Sequence, residues 1–331
     1  MIKLNYTMKK NNINVCQVSL FNNLDIIKLN YFQFKKFYND INFYLICPEE
    51  SLSKFEDHTK NFQIKLINEN NVINFEEFKI IANSYLCKTN YFDKIQSRLK
   101  WYYQQVLKIT YLIDFVENKN ENLIIWDADT LILKKINFFN ENSSNVFGIT
   151  SEYFKAYYQT NKTILGTLPK YFISSLCQFT TLNNYECKTL VNQLNKYKKR
   201  ENKTAEWITS IIFSSILNTH KDYNGSMFSE YELIGHSKLI DNFQKQKLIS
   251  GVREGLNGKL TINQEKIVKL LNYQYVAYEE ANSNENIKDI LTREQSWLKF
   301  FILIIKKTTN KIFRGIKFYL ILNYLKFVKW V

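Results

Sequence analysis

The sequence predicts an α/β fold with a mostly parallel central sheet and flanking helices. Short apolar runs alternate with longer segments of helical periodicity through the first half of the 331 residues. This alternation is typical of parallel strands that are joined by helices. Hydrophobic residues make up 45% of the chain and charged residues 23%, whereas glycine (8) and proline (2) are scarce. The composition indicates a globular protein and excludes collagen-like and proline-rich chains.

Each predicted element follows from a local pattern. Short apolar runs predict four strands, at Asn14–Leu20, Asn42–Cys47, Phe62–Ile67 and Asn122–Trp126. Apolar residues at helical spacing predict three helices, at Arg98–Val116, Tyr185–Tyr197 and Ala205–Leu217. Two further segments are less regular: a strand-rich stretch at Tyr171–Leu182, and a loop marked by Gly251, Gly255 and Gly258.

Two aspartates, Asp127 and Asp129, follow directly after the last predicted strand. Side chains of an extended segment alternate in direction, so we expect both carboxylates to point to one place and Ala128 to face away. Open α/β sheets bind ligands at the carboxyl ends of parallel strands. Two carboxylates there fit Mg²⁺ or Mn²⁺, which would bridge to a nucleotide diphosphate. The alternative is an Asp turn that caps the next segment.

Three segments resemble known families. Residues 124–133, IIWDADTLIL, resemble the DxD strand of GT-A glycosyltransferases and are distantly similar to glycogenin-like enzymes, whose later His…Gly…Lys-Pro-Trp motif is absent from the sequence. Lys100–Lys108 and Phe228–Gly235 are similar to the W-x-x-Q-Q-x-L-K helix and the F-S-E-Y-E-x-Y-G stretch of a family of poorly characterised bacterial glycosyltransferases from cell-surface polysaccharide loci. Ile234 replaces the second tyrosine of that stretch.

The resemblance covers roughly Asn14–Ser237 and implies a GT-A fold with a metal-dependent glycosyltransferase activity. Its donor would be a nucleotide sugar, with a UDP-sugar expected, and its acceptor a glycan or glycolipid of the lipooligosaccharide or capsule type. Asp127 and Asp129 would hold Mn²⁺ or Mg²⁺, and Asp127 would also contact the diphosphate. Two alternatives stay open: a non-enzymatic protein that binds membranes or nucleic acid, and a metal-dependent nucleotidyltransferase.

The helix ahead of the aspartates is expected to line the donor pocket. Arg98 could neutralise a phosphate, and Trp101 could stack on a ring or belong to the core. Gln104 or Gln105 could hydrogen-bond the sugar or base, since amides on an apolar helix need partners. Lys108 could lie near phosphate or pair with a carboxylate.

Two glutamates and a histidine are candidates on the acceptor side. Glu230 and Glu232 lie between Gly225 and Gly235, in a predicted loop. A loop carboxylate is a suitable general base for inverting transfer, whereas a retaining enzyme would need a nucleophile or strong stabilisation of the transition state. The alternative is a pair of solvated acids in a turn. His236 could complete a metal shell or lie on the surface.

Positive charge is concentrated at the C-terminus. Eight Lys or Arg and no acid lie in residues 296–331, which leaves +6 of the net charge of +14 for the first 295 residues. On a helical wheel the basic side chains share one half, and the other half holds Ile305, Ile312, Ile316, Leu320, Phe327 and Trp330. This pattern favours an amphipathic helix on an anionic membrane surface. Packing on the domain and a nucleic-acid patch are the alternatives, and no nucleic-acid partner is expected.

The predicted organisation is a glycosyltransferase domain, residues 1–295, followed by the membrane-associating tail. Residues 1–135 would bind the nucleotide sugar, and residues 136–295 would form the acceptor side. The five cysteines include no CxxC pair, which favours free thiols in a reducing cytosol. With neither a signal-peptide pattern nor a membrane-spanning run, we expect a cytoplasmic protein, peripheral on the inner face of the cell membrane.

Overall fold

The structure, a computed structural model, describes residues 13–139, 146–148, 154–167, 174–200, 203–223, 225–242, 247–253, 256, 258–278 and 287–328. The strands in these ranges are β1 (Ile13–Val18), β2 (Ile41–Cys47), β3 (Ile64–Asn68), β4 (Leu123–Trp126), β5 (Thr130–Ile132), β6 (Val146–Gly148), β7 (Phe179–Leu182), β8 (Lys247–Ile249), β9 (Gly251–Val252) and β10 (Tyr275–Ala277). The helices are α1 (Leu24–Phe37), α2 (Leu52–Thr59), α3 (Phe75–Leu86), α4 (Phe92–Gln96), α5 (Leu99–Lys119), α6 (Lys155–Leu165), α7 (Asn184–Tyr197), α8 (Thr204–Thr219), α9 (Glu230–Asn242), α10 (Ile262–Leu270), α11 (Ile287–Thr292) and α12 (Trp297–Val328).

The central sheet has five strands in the order β3-β2-β1-β4-β7. The first four are parallel neighbours, and β7 is antiparallel to β4. Val15 of β1 lies beside Phe43 of β2 and Ile124 of β4, and all three side chains are fully buried. Apolar strands of this kind are typical of a parallel sheet that is covered on both faces. The predicted mostly parallel sheet is therefore confirmed.

Helices cover both faces of this sheet. Since adjacent residues of a strand point to opposite faces, Val15 and Cys16 of β1 enter different apolar clusters. Cys16 packs in the cluster that contains α5 and α8, whereas Val15 packs in the cluster that contains α1 and Trp126. This arrangement confirms the predicted α/β fold with flanking helices.

Strands that follow β4 in the chain form a second sheet. It has the order β5-β10-β9, with β10 antiparallel to β5 and parallel to β9. Leu131 and Val276 of this sheet contribute to a third apolar cluster, which also contains Val268 of α10 and Phe300 of α12. The first turns of α12 therefore pack onto the domain.

The predicted C-terminal helix is present as α12, which begins at Trp297. The side chain of Phe327 and all of Trp330 lie outside what the structure describes. None of the helices in the described ranges is long and apolar enough to cross a membrane.

Seven predicted elements are confirmed within a few residues as β1, β2, β3, β4, α5, α7 and α8. All five cysteines are free, as predicted, and only Cys87 is exposed. Tyr171–Leu182 is a strand only over its last four residues, and residues 171–173 lie outside the described part.

The predicted glycine loop is partly wrong. Gly251 belongs to β9, where a Cβ atom would lie 2.0 Å from the ring of Tyr275. The glycine is therefore required by the neighbouring strand and does not mark a loop. Gly255 lies outside the described residues.

Candidate functional site

The two aspartates lie in a tight turn between β4 and β5. The Thr130 backbone N–H donates to the Asp127 carbonyl at 3.1 Å, and the Trp126 indole N–H donates to the Thr130 carbonyl at 2.6 Å. The Asp127 N–H donates to the Gln178 carbonyl at 2.8 Å, which fixes the turn to the segment before β7. The predicted extended geometry is therefore wrong, since these hydrogen bonds close a turn.

The turn nevertheless brings both aspartates to one cleft. Asp127, Ala128 and Asp129 all line it, and Ala128 is buried and packs in the cluster that contains Trp126. The Asp129 carboxylate accepts a hydrogen bond from the Thr130 hydroxyl at 3.0 Å. The cleft lies at the carboxyl end of β4, as the sequence predicted.

Lys108 of α5 joins the turn to α9. Its ammonium group lies 2.6 Å from Asp127 Oδ1 and 2.9 Å from Glu230 Oε1, and it contacts the Tyr231 hydroxyl at 3.2 Å. The Tyr231 hydroxyl also donates to Asp127 Oδ1. Lys108 thus pairs with carboxylates, the second of the two roles that the sequence left open.

This cluster is buried, and its charges shift the pKa values of its members. Burial would lower the pKa of Lys108, but the Asp127 and Glu230 carboxylates raise it above its usual value of 10.5. Burial raises the pKa of Glu230, and the positive charge of Lys108 offsets part of this rise. Burial and then Asp127 raise the pKa of Tyr231 well above its usual value. At neutral pH, Lys108 is therefore a cation and Tyr231 a neutral hydrogen-bond donor.

One face of α5 supplies a row of candidate residues to the cleft. Arg98, Trp101, Gln104 and Lys108 all line it, because residues three or four apart share a helical face. The row extends about 15 Å along the helix. The Arg98 guanidinium carbon lies 4.6 Å from the centre of the Trp101 ring, and both side chains are half-buried. Trp101 is therefore available to a ligand and is not enclosed in the core.

The two glutamines have different environments. Gln105 is 2% exposed, and its carbonyl oxygen accepts a hydrogen bond from the Glu230 backbone N–H at 3.1 Å. Gln104 is half-buried, and within the described part of the chain its amide has no hydrogen-bond partner. Gln105 consequently positions α9, and Gln104 is the amide that a ligand in the cleft can contact.

The segment predicted as a loop around Glu230 is the helix α9. Gly235 lies inside this helix, and a Cβ atom there would lie 1.9 Å from Ser175 Oγ. Glycine is required because α9 packs directly against the segment before β7. The two glutamates are buried (4% exposed for Glu230 and 0% for Glu232), so the alternative of solvated acids in a turn is wrong.

The structure does not bring Glu232 and His236 to the cleft. Glu232 accepts hydrogen bonds from Ser174 Oγ at 2.5 Å and from the Ser175 N–H at 3.1 Å. His236 Nε2 lies 3.2 Å from Glu232 Oε2, and its Nδ1 lies 3.0 Å from the Asn161 amide. Both side chains are fully buried, so they hold α9 on its neighbours.

The cleft has a volume of about 970 Å³. Besides α5 and α9, it is bordered by polar side chains that follow the carboxyl ends of β1, β2 and β3: Ser19, Asn23, Glu49, Glu50, Glu69 and Asn70. These residues were not predicted, although each follows a correctly predicted parallel strand and the ends of such strands meet at one edge. Tyr231 lies in the F-S-E-Y-E stretch but was given no role, and for Gln178 and Arg253 the local sequence gave no signal.

The donor set at the turn fits a small divalent cation. Asp127 Oδ1 is occupied by Lys108 and Tyr231, whereas its second oxygen accepts no hydrogen bond from the described residues. Lys108 pairs with Asp127 and Glu230, and Asp129 lines the same cleft. Together these three carboxylates and one ammonium group carry a charge of about −2 when all are ionised. No group of three or more His, Cys, Asp or Glu that could hold a metal occurs in the described ranges. Mg²⁺ commonly needs only one or two protein carboxylates, with water and substrate phosphates as its other ligands.

The chain is similar to several solved glycosyltransferases. Mouse xyloside xylosyltransferase 1 in its apo form is 9% identical, with a TM-score of 0.39 over 82% of this chain and 98% of that chain. The PaToxG glycosyltransferase is 13% identical, with a TM-score of 0.30 over 62% and 69%. The galactosyltransferase LgtC, in complex with donor and acceptor sugar analogues, is 8% identical, with a TM-score of 0.35 over 86% and 87%.

No curated protein matches the sequence. A model of a family of unknown function, DUF6492, matches residues 13–271. The match covers the central sheet, the aspartate turn, α5 and α9. The chain therefore belongs to the DUF6492 family.

Proposed function

We propose that this protein is a metal-dependent glycosyltransferase that moves a sugar from a nucleotide-sugar donor to a glycan acceptor. The observation that supports this most strongly is the pair Asp127 and Asp129, which line one cleft at the carboxyl end of a parallel strand. Lys108, from the W-x-x-Q-Q-x-L-K segment, and Glu230, from the F-S-E-Y-E segment, meet there at 2.9 Å. Three segments that are far apart in the sequence thus contribute to one site.

The donor would lie along the face of α5 that lines the cleft. Arg98 can neutralise phosphate oxygens with its guanidinium fork, and Trp101 offers an aromatic face for stacking. Gln104 can donate to and accept from a sugar hydroxyl or a base edge. Lys108 is committed to two carboxylates, so we assign it to orienting Asp127 and Glu230. The donor we expect is a UDP-sugar.

Asp127 and Asp129 are the residues that would hold Mn²⁺ or Mg²⁺. When bound, the metal would act as a Lewis acid that stabilises the negative charge of the departing diphosphate. Lys108 and Tyr231 both engage Oδ1 of Asp127, which orients the carboxylate with respect to the cleft. His236 is not assigned to the metal, because it is bound to Glu232 and Asn161 instead.

Glu230 is the acceptor-side base that the geometry supports. It lines the cleft, and burial raises its pKa from the usual value of 4.5, toward the pH at which a base works best. It would accept the proton of the attacking acceptor hydroxyl. Glu232 holds Ser174 and Ser175, and so positions the segment whose Gln178 anchors the Asp127 backbone.

The acceptor we propose is a growing surface glycan of the lipooligosaccharide or capsule type, elongated on the inner face of the cell membrane. Two features support this. Two of the motif segments, Lys100–Lys108 and Phe228–Gly235, resemble enzymes of cell-surface polysaccharide loci, and eight Lys or Arg with no acid lie in residues 296–331. A lipid-linked acceptor would lie at such a membrane surface.

A panel of nucleotide sugars tests the proposal. We expect one of them to raise the melting temperature of the purified chain in the presence of Mn²⁺ and to be hydrolysed slowly. Asp127→Asn and Asp129→Asn should each lower hydrolysis about a hundredfold or more, because the metal contributes several kcal/mol to charge stabilisation.

Asp93→Asn is the matched control, because Asp93 is exposed on α4. It should leave both readouts unchanged. Failure of every nucleotide sugar to bind, with or without metal, would overturn the proposal. Release of pyrophosphate from a nucleoside triphosphate and a sugar phosphate, with no nucleoside diphosphate released from any nucleotide sugar, would show a nucleotidyltransferase.

A further inference from the structure

Helix α12 has two apolar stripes on opposite sides. Phe300 and Ile304, four residues apart, are 0% and 6% exposed and pack in the third apolar cluster. Lys311, two turns further along the same side, donates to the Leu271 and Asn272 carbonyls at 2.8 Å each. This docked stripe fixes the helix on the domain, and Lys311 belongs to it.

The second stripe is exposed. Its large apolar side chains lie roughly 100–220° around the helix from Phe300, at about 100° per residue. They are Leu298, Phe301, Ile302, Ile305, Ile312, Phe313, Ile316, Tyr319 and Leu320, with exposures between 50% and 71%. With Trp297 they account for ten of the seventeen exposed large hydrophobic side chains in the described residues. Single exposed apolar residues are ordinary, but a contiguous row of them marks an interaction surface.

The charge of this segment identifies the partner. No acid lies in residues 296–331, and Lys299 and Lys306 are exposed along one edge of the stripe, about 240–260° from Phe300. A second copy of α12 would bring like charges together, and nucleic acid would leave the apolar row without a partner. An anionic lipid surface accommodates both features, since it offers headgroups to the lysines and acyl chains to the isoleucines.

We propose that the exposed stripe of α12 is a lipid-binding surface that lies in the plane of an anionic membrane. Sequence analysis offered packing on the domain as the alternative, with lysines turned to water, but the structure shows docking on one side and isoleucines exposed on the other. From Leu298 to Leu320 the exposed stripe extends about 33 Å along the helix. The inference assigns a surface to the membrane location proposed above and does not depend on sugar transfer.

Vesicle sedimentation of the full chain, without nucleotide sugar, tests the inference. We expect binding to vesicles of phosphatidylcholine and phosphatidylglycerol, little binding to phosphatidylcholine alone, and weaker binding at high salt. The triple variant Ile305→Ser, Ile312→Ser, Ile316→Ser should lower the partition coefficient at least about tenfold. Because these side chains are exposed, the variant should keep its thermal midpoint and its donor hydrolysis.

The matched control replaces three equally exposed residues elsewhere, Ile80→Ser, Ile262→Ser and Leu270→Ser (69%, 76% and 84% exposed). It should bind the vesicles like the unmodified chain. The inference is overturned if the unmodified chain does not bind the anionic vesicles, or if the Ile305/Ile312/Ile316 variant binds equally well. It is also overturned if the Ile305/Ile312/Ile316 variant differs from the unmodified chain only in the loss of a self-associated dimer. Donor hydrolysis, measured separately, would report on the proposed enzyme and not on this surface.

Discussion

Removal of the Lys108 ammonium tests how the candidate site is held together. The side chains of Lys108 and Glu230 are 6% and 5% exposed, and that of Asp127 is 18% exposed. Lys108→Met keeps an unbranched side chain that is one atom shorter, and it leaves both carboxylates without their cation. Breaking a buried ion pair from one side costs about 3–5 kcal/mol. We expect the lower end, near 3 kcal/mol, because Asp127 borders the cleft and can regain water.

Urea unfolding, followed by circular dichroism, measures this loss. The double variant Lys108→Met/Glu230→Gln removes one unpaired carboxylate and should recover about 1 kcal/mol or more of the deficit. Lys203→Met is the control, since Lys203 is 72% exposed and lies 3.9 Å from Glu206. Such a surface pair contributes less than about 1 kcal/mol. A Lys108→Met loss below about 1 kcal/mol, or additive effects of the two substitutions, would refute the reasoning.

The pH dependence gives a second readout of the same cluster. The pKa of Lys108 is raised above its usual 10.5, so its stabilising contribution is complete below pH 10.5 and is lost only as the pH rises through the raised value. The raised pKa of Glu230 means that the folded protein binds the Glu230 proton more tightly than the unfolded chain does. Stability therefore falls as the pH rises from 4.5 through the raised value. Without Lys108 the pKa of Glu230 rises further. The loss of stability caused by Lys108→Met should therefore be smaller at pH 5 than at pH 8.

Three other pairs of substitutions have outcomes that follow from the packing. Gly235→Ala should cost about 1–3 kcal/mol in urea unfolding, because the new Cβ meets Ser175 at 1.9 Å, and Ser175→Gly should restore part of it. Phe300→Ala should cost about 3–5 kcal/mol, whereas Phe301→Ala, at a residue 50% exposed, should cost under about 0.5 kcal/mol; equal losses would contradict the docked stripe. Gln105→Ala should lower stability by about 1–3 kcal/mol, whereas Gln104→Ala should raise the KM for the donor without a loss of stability, and the reverse pattern would exclude these roles.

The sequence predicted the elements that have strong local patterns. Apolar runs identified β1, β2, β3 and β4, and helical spacing identified α5. Asp127 and Asp129 follow a buried strand, and the cleft lies at that end of the strand. These predictions depend on residues close together in the chain, where periodicity is informative.

The contacts that assemble the site are long-range, and local patterns do not contain them. Lys108 and Glu230 are 122 residues apart, and Gly235 is required by Ser175, 60 positions earlier. In the sequence, Gly225 and Gly235 suggested a loop, because glycine usually weakens a helix. Close packing of α9 against the segment before β7 outweighs that preference, and this tertiary contact is what converts the predicted loop into a helix.

The error about α9 also concerns the two glutamates that were candidates for the general base, because only Glu230 lines the cleft. On a helix they are about 200° apart, and Glu230 faces Lys108 whereas Glu232 faces Ser174 and His236. Gln104 and Gln105 likewise point in different directions, since neighbours on a helix are about 100° apart. Glu230 and Gln104 line the cleft, whereas Glu232 and Gln105 hydrogen-bond a neighbouring element of the fold.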